Sequence, residues 1–485
     1  MPTILALDQG TTGSTALVVA SDGTVLGRGY REIPQFYPAP GEVEHDAESL
    51  FRSVIDAGRD ALRAAAVNVD AIGITNQRET VVLWDHATRS PVGRAIVWQD
   101  RRTASRCAAL RAAGKEPMLR AKTGLLLDPY FSATKLEWLL HEPGVRARAD
   151  AGTLRAGTVE SWLVARLTDG AAHVTDVTNA SRTLLADLRT GQWDDELLAL
   201  FGIPRQLLPR VVPSAGVVGV AGAEWFGREL PIAGLAGDQQ AALIGHGCVT
   251  AGAAKVTYGT GAFLLRFTGE RAPPVPADGI LATIAAGPRG GLAWALEGSL
   301  FIAGAAVQWL RDGLGLIHDA AETAVVAASV ADAGGVTVVP AFTGLGAPYW
   351  NAEARGTITG LTRGTTRAHL VRATLEAIAH GTCDLVESMG GAATLRVDGG
   401  AAQNDWLMQV QADLLGVPVE RPASADLTAY GAARLAAFGI DTELPPATTV
   451  GGLTIFEPGQ TDDWRAARRA EWRRAVKGAL AWAQG

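Results

Sequence analysis

A turn rich in glycine and threonine follows the first apolar segment of the chain and could bind phosphate. The segment Asp8-Gln-Gly-Thr-Thr-Gly13 offers backbone N–H groups and two threonine hydroxyls at a predicted hairpin tip. Such a tip can surround phosphate oxygens, and an aspartate at the end of the preceding strand can hold Mg²⁺ directly or through water. An ordinary polar hairpin turn would explain the same residues.

Two further glycine-rich points occur in the second half of the chain. Gly259-Thr-Gly261 repeats the hairpin tip, and two such loops facing each other across a cleft could hold one polyphosphate. Asp398-Gly-Gly400 lies between a predicted strand and a predicted helix, and paired glycines let a flat ring approach the backbone closely. The alternative for this last segment is a strand–helix turn capped by Asn or Asp.

Two polar segments carry candidate acid–base and binding groups. Asp238 lies in the apolar run Ala236-Gly-Asp-Gln-Gln-Ala241, and a buried carboxylate without a role is rare; the alternative is an N-cap for the next helix. Asn76-Gln-Arg-Glu-Thr80 follows a predicted buried strand. Because neighbours in a strand point to opposite faces, an Arg and a Glu that serve one ligand must lie on a turn; the alternative is a solvated loop.

Other common sites for nucleotides and metals are not supported by the sequence. It contains no GxxxxGK[ST] segment and no GxGxxG segment, so neither a P-loop nor a Rossmann fingerprint is indicated. HExxH and any clustered set of His and Cys are also missing, so we do not expect a catalytic zinc ion.

The elements that must position these residues alternate between strands and helices, which is typical of an α/β protein. Each half of the chain opens with a hairpin, and we place the boundary near residues 245–252. The predicted strands are 3–7, 14–20, 24–30, 70–75, 81–84, 253–258, 262–267, 337–342 and 394–397. The predicted helices are 47–67, 298–311, 367–389, 405–415 and 464–483.

Composition excludes several classes of protein. The 485 residues carry a net charge of −7 and are 48% hydrophobic and 19% charged, which excludes a disordered chain and argues against binding along a nucleic-acid backbone. Cys107, Cys248 and Cys383 lie far apart, which predicts free thiols in a reducing compartment. We find no signal peptide and no membrane helix and expect a cytoplasmic protein.

Nine segments occur in the order in which they are found in glycerol kinases of the FGGY carbohydrate-kinase family, and the chain resembles that family from about residue 4 to residue 460. The segments are ALDQGTTGST, GITNQRET, IVWQDRR, LDPYFSATK, AGDQQAAL, TYGTGAF, AGAAVQWLRD, PAFTGLGAPYW and RVDGGAAQND. The resemblance implies a two-domain actin/hexokinase/Hsp70-like (ribonuclease H-like) α/β fold. Residues 1–248 would bind polyol and phosphate, and residues 249–485 would bind the adenine nucleotide.

The resemblance also implies an activity: the ATP-dependent phosphorylation of glycerol to sn-glycerol 3-phosphate. Asp238 would act as the general base, since phosphoryl transfer needs alignment and charge neutralisation more than covalent chemistry. Glycerol would lie among Arg78, Glu79, Trp98, Tyr130, Asp238, Gln239 and Phe263. Arg78 and Glu79 would donate to and accept from its hydroxyls, and Trp98 and Phe263 would form the apolar wall.

On the nucleotide side, the resemblance assigns Thr11, Thr12, Gly13 and Thr260 to the phosphates, and Gly304, Gln308, Gly400 and Asn404 to adenosine. Asp8 would bind Mg²⁺. The family often carries Arg where this chain has Thr15. Since Thr is uncharged, that phosphate contact is weaker or comes from another residue, and whether Thr15 contacts nucleotide stays open.

Two alternatives to a glycerol kinase remain: another FGGY kinase acting on a sugar or a longer polyol such as erythritol or xylulose, and a nucleotide-dependent interaction protein without catalysis. Family members form dimers or tetramers, and the sequence does not decide between them. We predict that control by a sugar bisphosphate or by a phosphotransferase component is absent. Residues 220–230 show no matching Gly/Arg loop, no His lies between His173 and His246, and Trp464 replaces a metal-ligating Glu.

Overall fold

The computed structural model describes residues 2–276, 279–424 and 426–483. The strands are β1 Ile4–Gln9, β2 Gly13–Val19, β3 Val25–Glu32, β4 Glu44–His45, β5 Ala71–Asn76, β6 Val81–Asp85, β7 Ala95–Ile96, β8 Leu154–Thr158, β9 Val174–Asp176, β10 Arg210–Val212, β11 Ala215–Ala221, β12 Leu230–Gly237, β13 Ala254–Tyr258, β14 Ala262–Gly269, β15 Leu281–Ala286, β16 Leu292–Leu300, β17 Thr337–Val339, β18 Thr357–Thr359, β19 Leu395–Asp398, β20 Val419–Pro422 and β21 Leu453–Phe456.

The α-helices are α1 Ala47–Ala65, α2 Ala104–Ala112, α3 Glu116–Thr123, α4 Ser132–Leu140, α5 Val145–Asp150, α6 Val159–Leu167, α7 Val177–Ala180, α8 Asp195–Leu200, α9 Ala223–Phe226, α10 Asp238–Gly245, α11 Gly304–Gln308, α12 Glu322–Ala328, α13 Arg367–Ser388, α14 Asp405–Leu415, α15 Leu427–Gly439 and α16 Asp462–Trp482. A π-helical turn, Trp309–Gly313, continues α11.

The first sheet has the strand order β11-β12-β5-β1-β2-β3. Strand β1 runs antiparallel to β2 and parallel to β5. Both faces of β1 are apolar, because alternate residues meet different layers: Leu5 and Leu7 pack with α1, and Ile4 and Ala6 pack with α15. Helix α1 begins where Asp46 caps the backbone N–H of Ser49 at 2.7 Å.

The second sheet has the order β15-β16-β14-β13-β19-β20-β21. Its central strands repeat the pattern of the first sheet: β13 is antiparallel to β14, parallel to β19, and β14 is antiparallel to β16. Helices α13 and α14 pack on one face, and Leu243 of α10 packs on the other. The prediction of two α/β halves, each opened by a hairpin, is therefore confirmed.

Helices α10 and α15 pack against each other between the two sheets. Their approach depends on Gly431, because a Cβ added there would lie 1.8 Å from the carbonyl oxygen of Ala241. Helix α15 comes from the second half of the chain but packs on β1, β5 and β12 of the first sheet. The division of function at residue 248 stays a prediction.

Two of the predicted elements need correction. Residues 298–303 are not helical, because β16 continues to Leu300 as a partner of β14, and the helix begins only at Gly304. Sheet pairing here overrides the local helical pattern. The strand predicted over 337–342 ends at Val339, since Pro340 has no N–H to donate to a ladder. The three cysteines are free, as predicted, and all three are buried. Among the described residues, none of the helices is both long and apolar enough to cross a membrane.

Candidate active site

Three parallel strands of the first sheet end at one edge and bring distant segments together. In the β1–β5 ladder Asp8 lies opposite Thr75, and in the β12–β5 ladder Gly237 lies opposite Asn76. The carboxyl ends of parallel strands are a usual place for ligands. Asp8, the segment after Asn76, and Asp238 therefore meet at the same edge, although they are far apart in sequence.

The segment after β5 is buried, so its interpretation as a solvated loop is wrong. Arg78 is 3% exposed and Glu79 is 1% exposed. Glu79 has a φ of 61°, a left-handed conformation that residues with a side chain rarely adopt and that often marks functional sites. The turn brings the Arg78 Nε atom to 3.8 Å from the Glu79 Oε1 atom. Both side chains can therefore face one ligand.

A buried network of alternating charges surrounds this segment. Arg78 contacts Asp238 through Nε at 3.2 Å and donates to both oxygens of Glu297 at 2.6 and 2.9 Å. Arg182 donates to Glu297 at 2.9 Å and to Glu79 at 2.7 Å. Burial alone would raise the pKa of Glu297, but the charges of Arg182 and Arg78 lower it to about 2. Glu297 is therefore ionised at neutral pH, whereas desolvation raises the pKa of Glu79 above its ordinary value.

Asp238 is the first residue of α10, and Gly237 holds the N-cap position, so the alternative that Asp238 is the N-cap is wrong. Its side chain is 30% exposed, and its Oδ1 atom accepts from the backbone N–H of Gln239 at 2.6 Å. Desolvation raises the pKa of Asp238 above its ordinary value, while the charges of Arg78 and Lys255 oppose that rise. The result is a partly accessible carboxylate with increased basicity.

Lys255 of β13 contacts the residue next to Asp238. It is fully buried, and its Nζ donates to the Oε1 atom of Gln239 and, at 2.9 Å, to the Oγ1 atom of Thr257. Because Nζ can only donate, the bond to Oε1 leaves the amide Nε2 of Gln239 as the end that is free to donate elsewhere. Burial lowers the pKa of Lys255 to about 8.

The two aromatics predicted as the apolar wall, Trp98 and Phe263, lie together with Tyr130, which was predicted as a further polar contact. The ring centroid of Trp98 is 5.5 Å from that of Tyr130 and 6.3 Å from that of Phe263, both edge-to-face. Phe263 belongs to β14 of the second half, so the wall is built from both halves. The Trp98 Nε1–H donates to the Thr11 hydroxyl at 2.9 Å. This bond joins the aromatic wall to the first hairpin tip.

Each hairpin tip is closed by a backbone hydrogen bond between two nearby glycines. The N–H of Gly10 donates to the Gly13 carbonyl at 2.9 Å, and the N–H of Gly259 donates to the Gly261 carbonyl at 2.8 Å. Thr12 and Thr260 are exposed at these tips. Thr15 lies outside the first tip, in β2 opposite Asp8.

The surroundings of Asp8 disfavour its ionised carboxylate, which a nearby cation would stabilise. Burial, then the charges of Asp238 and Asp426, raise the pKa of Asp8 well above its ordinary value. Among the described residues, no cluster of three or more His, Cys, Asp or Glu could hold a metal alone. A divalent cation beside Asp8 would stabilise its carboxylate, and the rest of its ligands would have to come from water or a bound ligand.

A cavity of about 670 Å³ lies in the second half of the molecule. The predicted residues on its lining are Thr260, Gly304, Gln308, Gly400 and Asn404. A Cβ on Gly400 would meet nothing within 4 Å, so the backbone there is open to a ligand. Asn404 also caps α14, accepting from the N–H of Leu407 at 3.0 Å, so the capping alternative holds beside the lining position.

Sequence reasoning missed three charged residues of this site: Arg182, Lys255 and Glu297. Glu297 interrupts the apolar segment Leu292–Leu300, and Lys255 interrupts the apolar strand Ala254–Tyr258. A single charge in an apolar strand is rarely buried without a partner. Lys255 and Glu297 could therefore have been identified from the sequence by the same criterion as Asp238.

Comparison with known proteins gives a consistent result. A family model for the N-terminal domain of FGGY carbohydrate kinases matches residues 3–245, and one for the C-terminal domain matches residues 254–440. The chain is 55% identical to a glycerol kinase from Aromatoleum aromaticum, over 99% of both chains. It is 52% identical to a glycerol kinase from Dechloromonas aromatica, over 99% of this chain and 98% of the relative.

Solved structures agree with these sequence relatives. A glycerol kinase from Plasmodium falciparum, solved with ADP, is 33% identical and superposes with a TM-score of 0.92 over 99% of this chain and 98% of that one. A xylulose kinase from Rhodospirillum rubrum is 25% identical, with a TM-score of 0.87 over 100% of both chains. The predicted two-domain α/β fold is confirmed and is consistent with the actin/hexokinase type. The chain belongs to the FGGY family of carbohydrate kinases.

Proposed function

We propose that the chain phosphorylates glycerol with ATP and releases sn-glycerol 3-phosphate. The observation that carries this proposal is the partly exposed Asp238 carboxylate, held by Arg78 beside the buried Glu79. The names of the relatives, which include glycerol kinases at 52–55% identity over nearly the whole chain, support the same substrate. Residues 1–248 would carry polyol and phosphate, and residues 249–485 the adenine nucleotide.

Glycerol would bind between the charged segment and the aromatic wall. Glu79 accepts from its hydroxyls, and the Gln239 amide donates to another oxygen. Arg78 has five N–H donors, of which four already face Glu297, Gln240 and Asp238. Its remaining Nη2 hydrogen is the one available to substrate. Trp98 and Phe263 would pack against the three carbons, Tyr130 would add a polar contact, and together these aromatic side chains would limit the length of the polyol.

Asp238 would accept the proton of the terminal hydroxyl as its oxygen attacks the γ-phosphate. Alignment and charge neutralisation supply most of the rate in such transfers. Water must be kept from the γ-phosphate or ATP would hydrolyse without acceptor, and closure of the cleft between the halves is the usual solution. A wall that is built from both halves fits such a closure.

The nucleotide would extend from the hairpin tips into the large cavity. Thr11, Thr12, Gly13 and Thr260 would donate to phosphate oxygens, and Gly304, Gln308, Gly400 and Asn404 would line the adenosine pocket. Mg²⁺ held by Asp8 would neutralise charge on the transferring phosphate. Thr15, a further candidate for a phosphate contact, lies opposite Asp8 in the ladder. A cytoplasmic location and a homodimer or homotetramer also stay predictions.

The first test is ADP release from MgATP with glycerol, erythritol, xylulose or no acceptor. Strong release with glycerol alone supports the proposal. ADP release only with a larger acceptor would support the same mechanism with a different substrate. ATP binding without release in any of these mixtures would support a non-catalytic interaction protein. Inhibition by millimolar fructose 1,6-bisphosphate would contradict the predicted absence of that control.

A further inference from the structure

Glu297 is a charged residue in the middle of an apolar sheet. In the ladders of β16 it lies opposite Leu265 of β14 and Leu281 of β15, and it is 0% exposed. Burying a carboxylate costs much free energy unless it is paired and hydrogen-bonded. Both of its partners, Arg78 and Arg182, come from the other half of the molecule.

The contacts of Glu297 form a branched chain that ends on two carboxylates. Its Oε2 atom accepts from Arg78 at 2.6 Å, and its Oε1 atom accepts from Arg78 and from Arg182, each at 2.9 Å. Arg78 then reaches Asp238 at 3.2 Å, and Arg182 reaches Glu79 at 2.7 Å. One carboxylate thus holds two arginines, and each arginine holds one carboxylate of the proposed glycerol site.

We infer that Glu297 and Arg182 are positioning residues for the proposed transfer to glycerol. Glu297 holds the Arg78 guanidinium against Asp238, and Arg182 holds Glu79 in its left-handed turn. The inference rests on the proposed function. Neither residue needs to contact the substrate, because each acts through a neighbour that does.

Stability alone is a poor explanation for this network. A buried ion pair contributes little net stability, and apolar side chains of similar size often serve a core as well or better. Catalytic groups, by contrast, must be held within fractions of an ångström by neighbours whose own positions are locked. A planar guanidinium with two fixed bonds to one carboxylate supplies that rigidity. Because Glu297 belongs to the second sheet, it also ties the geometry of the glycerol site to the half that would hold the nucleotide.

The test uses the full-length protein and two matched pairs of variants. Glu297→Gln keeps the shape and removes the charge. Glu160→Gln is its control, since Glu160 is equally buried but accepts from the hydroxyls of Thr158 and Thr175. Arg182→Lys keeps the charge but replaces the planar guanidinium, which reaches both carboxylates from a fixed plane, by a single ammonium group. Its control is Arg469→Lys, a buried arginine that bonds Asp384 and Glu387 away from this network.

A displacement of a catalytic group by about 1 Å can lower the reaction rate by about 100-fold. We therefore expect Glu297→Gln to lower kcat/KM for glycerol by about 100-fold while KM for MgATP changes by less than about 3-fold. Arg182→Lys should mainly raise KM for glycerol, by about 10-fold, because it acts through Glu79. Calorimetry of glycerol binding with a non-hydrolysable ATP analogue, which involves no turnover, should therefore show weaker binding in Arg182→Lys than in the wild type.

The inference is overturned if Glu297→Gln lowers kcat/KM for glycerol no more than Glu160→Gln, or if KM for MgATP rises in parallel. If Glu297→Gln does not fold, Arg182→Lys against Arg469→Lys decides in the same way. The proposed function is judged separately, on the wild-type protein. Wild-type turnover with glycerol, together with unaffected variants, would remove the positioning role and leave the activity in place.

Discussion

The residues after β5 of the first sheet are charged, whereas those after the equivalent strand β19 of the second sheet are glycines. Arg78 and Glu79 follow β5, and Gly399 and Gly400 follow β19, although the two strands hold the same place in their sheets. A small polyol needs donors and acceptors on every side. A nucleotide needs backbone that it can approach closely. One strand pattern thus supports two kinds of recognition, and the residues after each strand select between them.

The largest loss of activity is expected from a substitution of Asp238, the proposed general base. Asp238→Asn removes the proton acceptor, and general-base catalysis contributes about 10²- to 10⁴-fold. We expect kcat with glycerol to fall by about that factor, while nucleotide affinity, measured by calorimetry with ADP, stays the same. Turnover within about tenfold of wild type would contradict the assignment of Asp238 as base.

A substitution of Lys255 tests whether the second half of the molecule helps to orient Gln239 in the glycerol site. In Lys255→Met, Gln239 loses its charged donor and its amide is free to reverse. Hydrogen bonds to charged groups contribute about 1.5–3 kcal/mol, so KM for glycerol should rise by about 10- to 100-fold. Thr257→Val is the control, because it removes the other partner of Lys255 and keeps the bond to Gln239. Equal effects of the two variants would show that the Gln239 orientation does not matter.

Substitutions of the neighbouring residues Gly399 and Gly400 distinguish a structural glycine from a glycine that leaves room for the nucleotide. Gly400→Ala adds a methyl group to open space in the cavity, so KM for ATP should rise by about 10-fold with an unchanged Tm. Gly399 has a φ of 89°, and a Cβ there would lie 2.4 Å from the Tyr258 carbonyl oxygen. Gly399→Ala should therefore lower stability by about 1–3 kcal/mol in denaturant unfolding. A loss of stability in Gly400→Ala would show that its role is structural.

A buried carboxyl away from both sites provides the smallest effect on activity. Burial raises the pKa of Glu160 to about 7, above its unfolded value near 4.5. The folded protein then holds more protons than the unfolded one between these values, so stability should fall as pH rises through this window. Glu160→Gln should remove that slope, measured by urea unfolding at several pH values, and leave kcat/KM unchanged. A slope equal to that of the wild type would contradict the raised pKa.

Local sequence patterns by themselves determined several hairpins and helices of this protein and most of its candidate site segments. Gly-Thr tips between β-rich runs predicted both hairpins, and the apolar period of residues 47–67 predicted α1, because turns and amphipathic helices depend on neighbours in sequence. The segments around Asp8, Arg78, Asp238 and Asp398 were identified for the same reason: each combines residue types that local structure alone does not need.

Only the tertiary structure decided which charges meet. Glu297 lies 219 residues from Arg78 and 115 from Arg182, and nothing in the local sequence selects those partners. Their pairing depends on strand order, register and the contact between the two sheets. The same long-range pairing turned residues 298–300 from a predicted helix into strand β16. Side-chain contacts across domains are set by packing of the whole chain, because the free energy of a buried charge depends on every group around it.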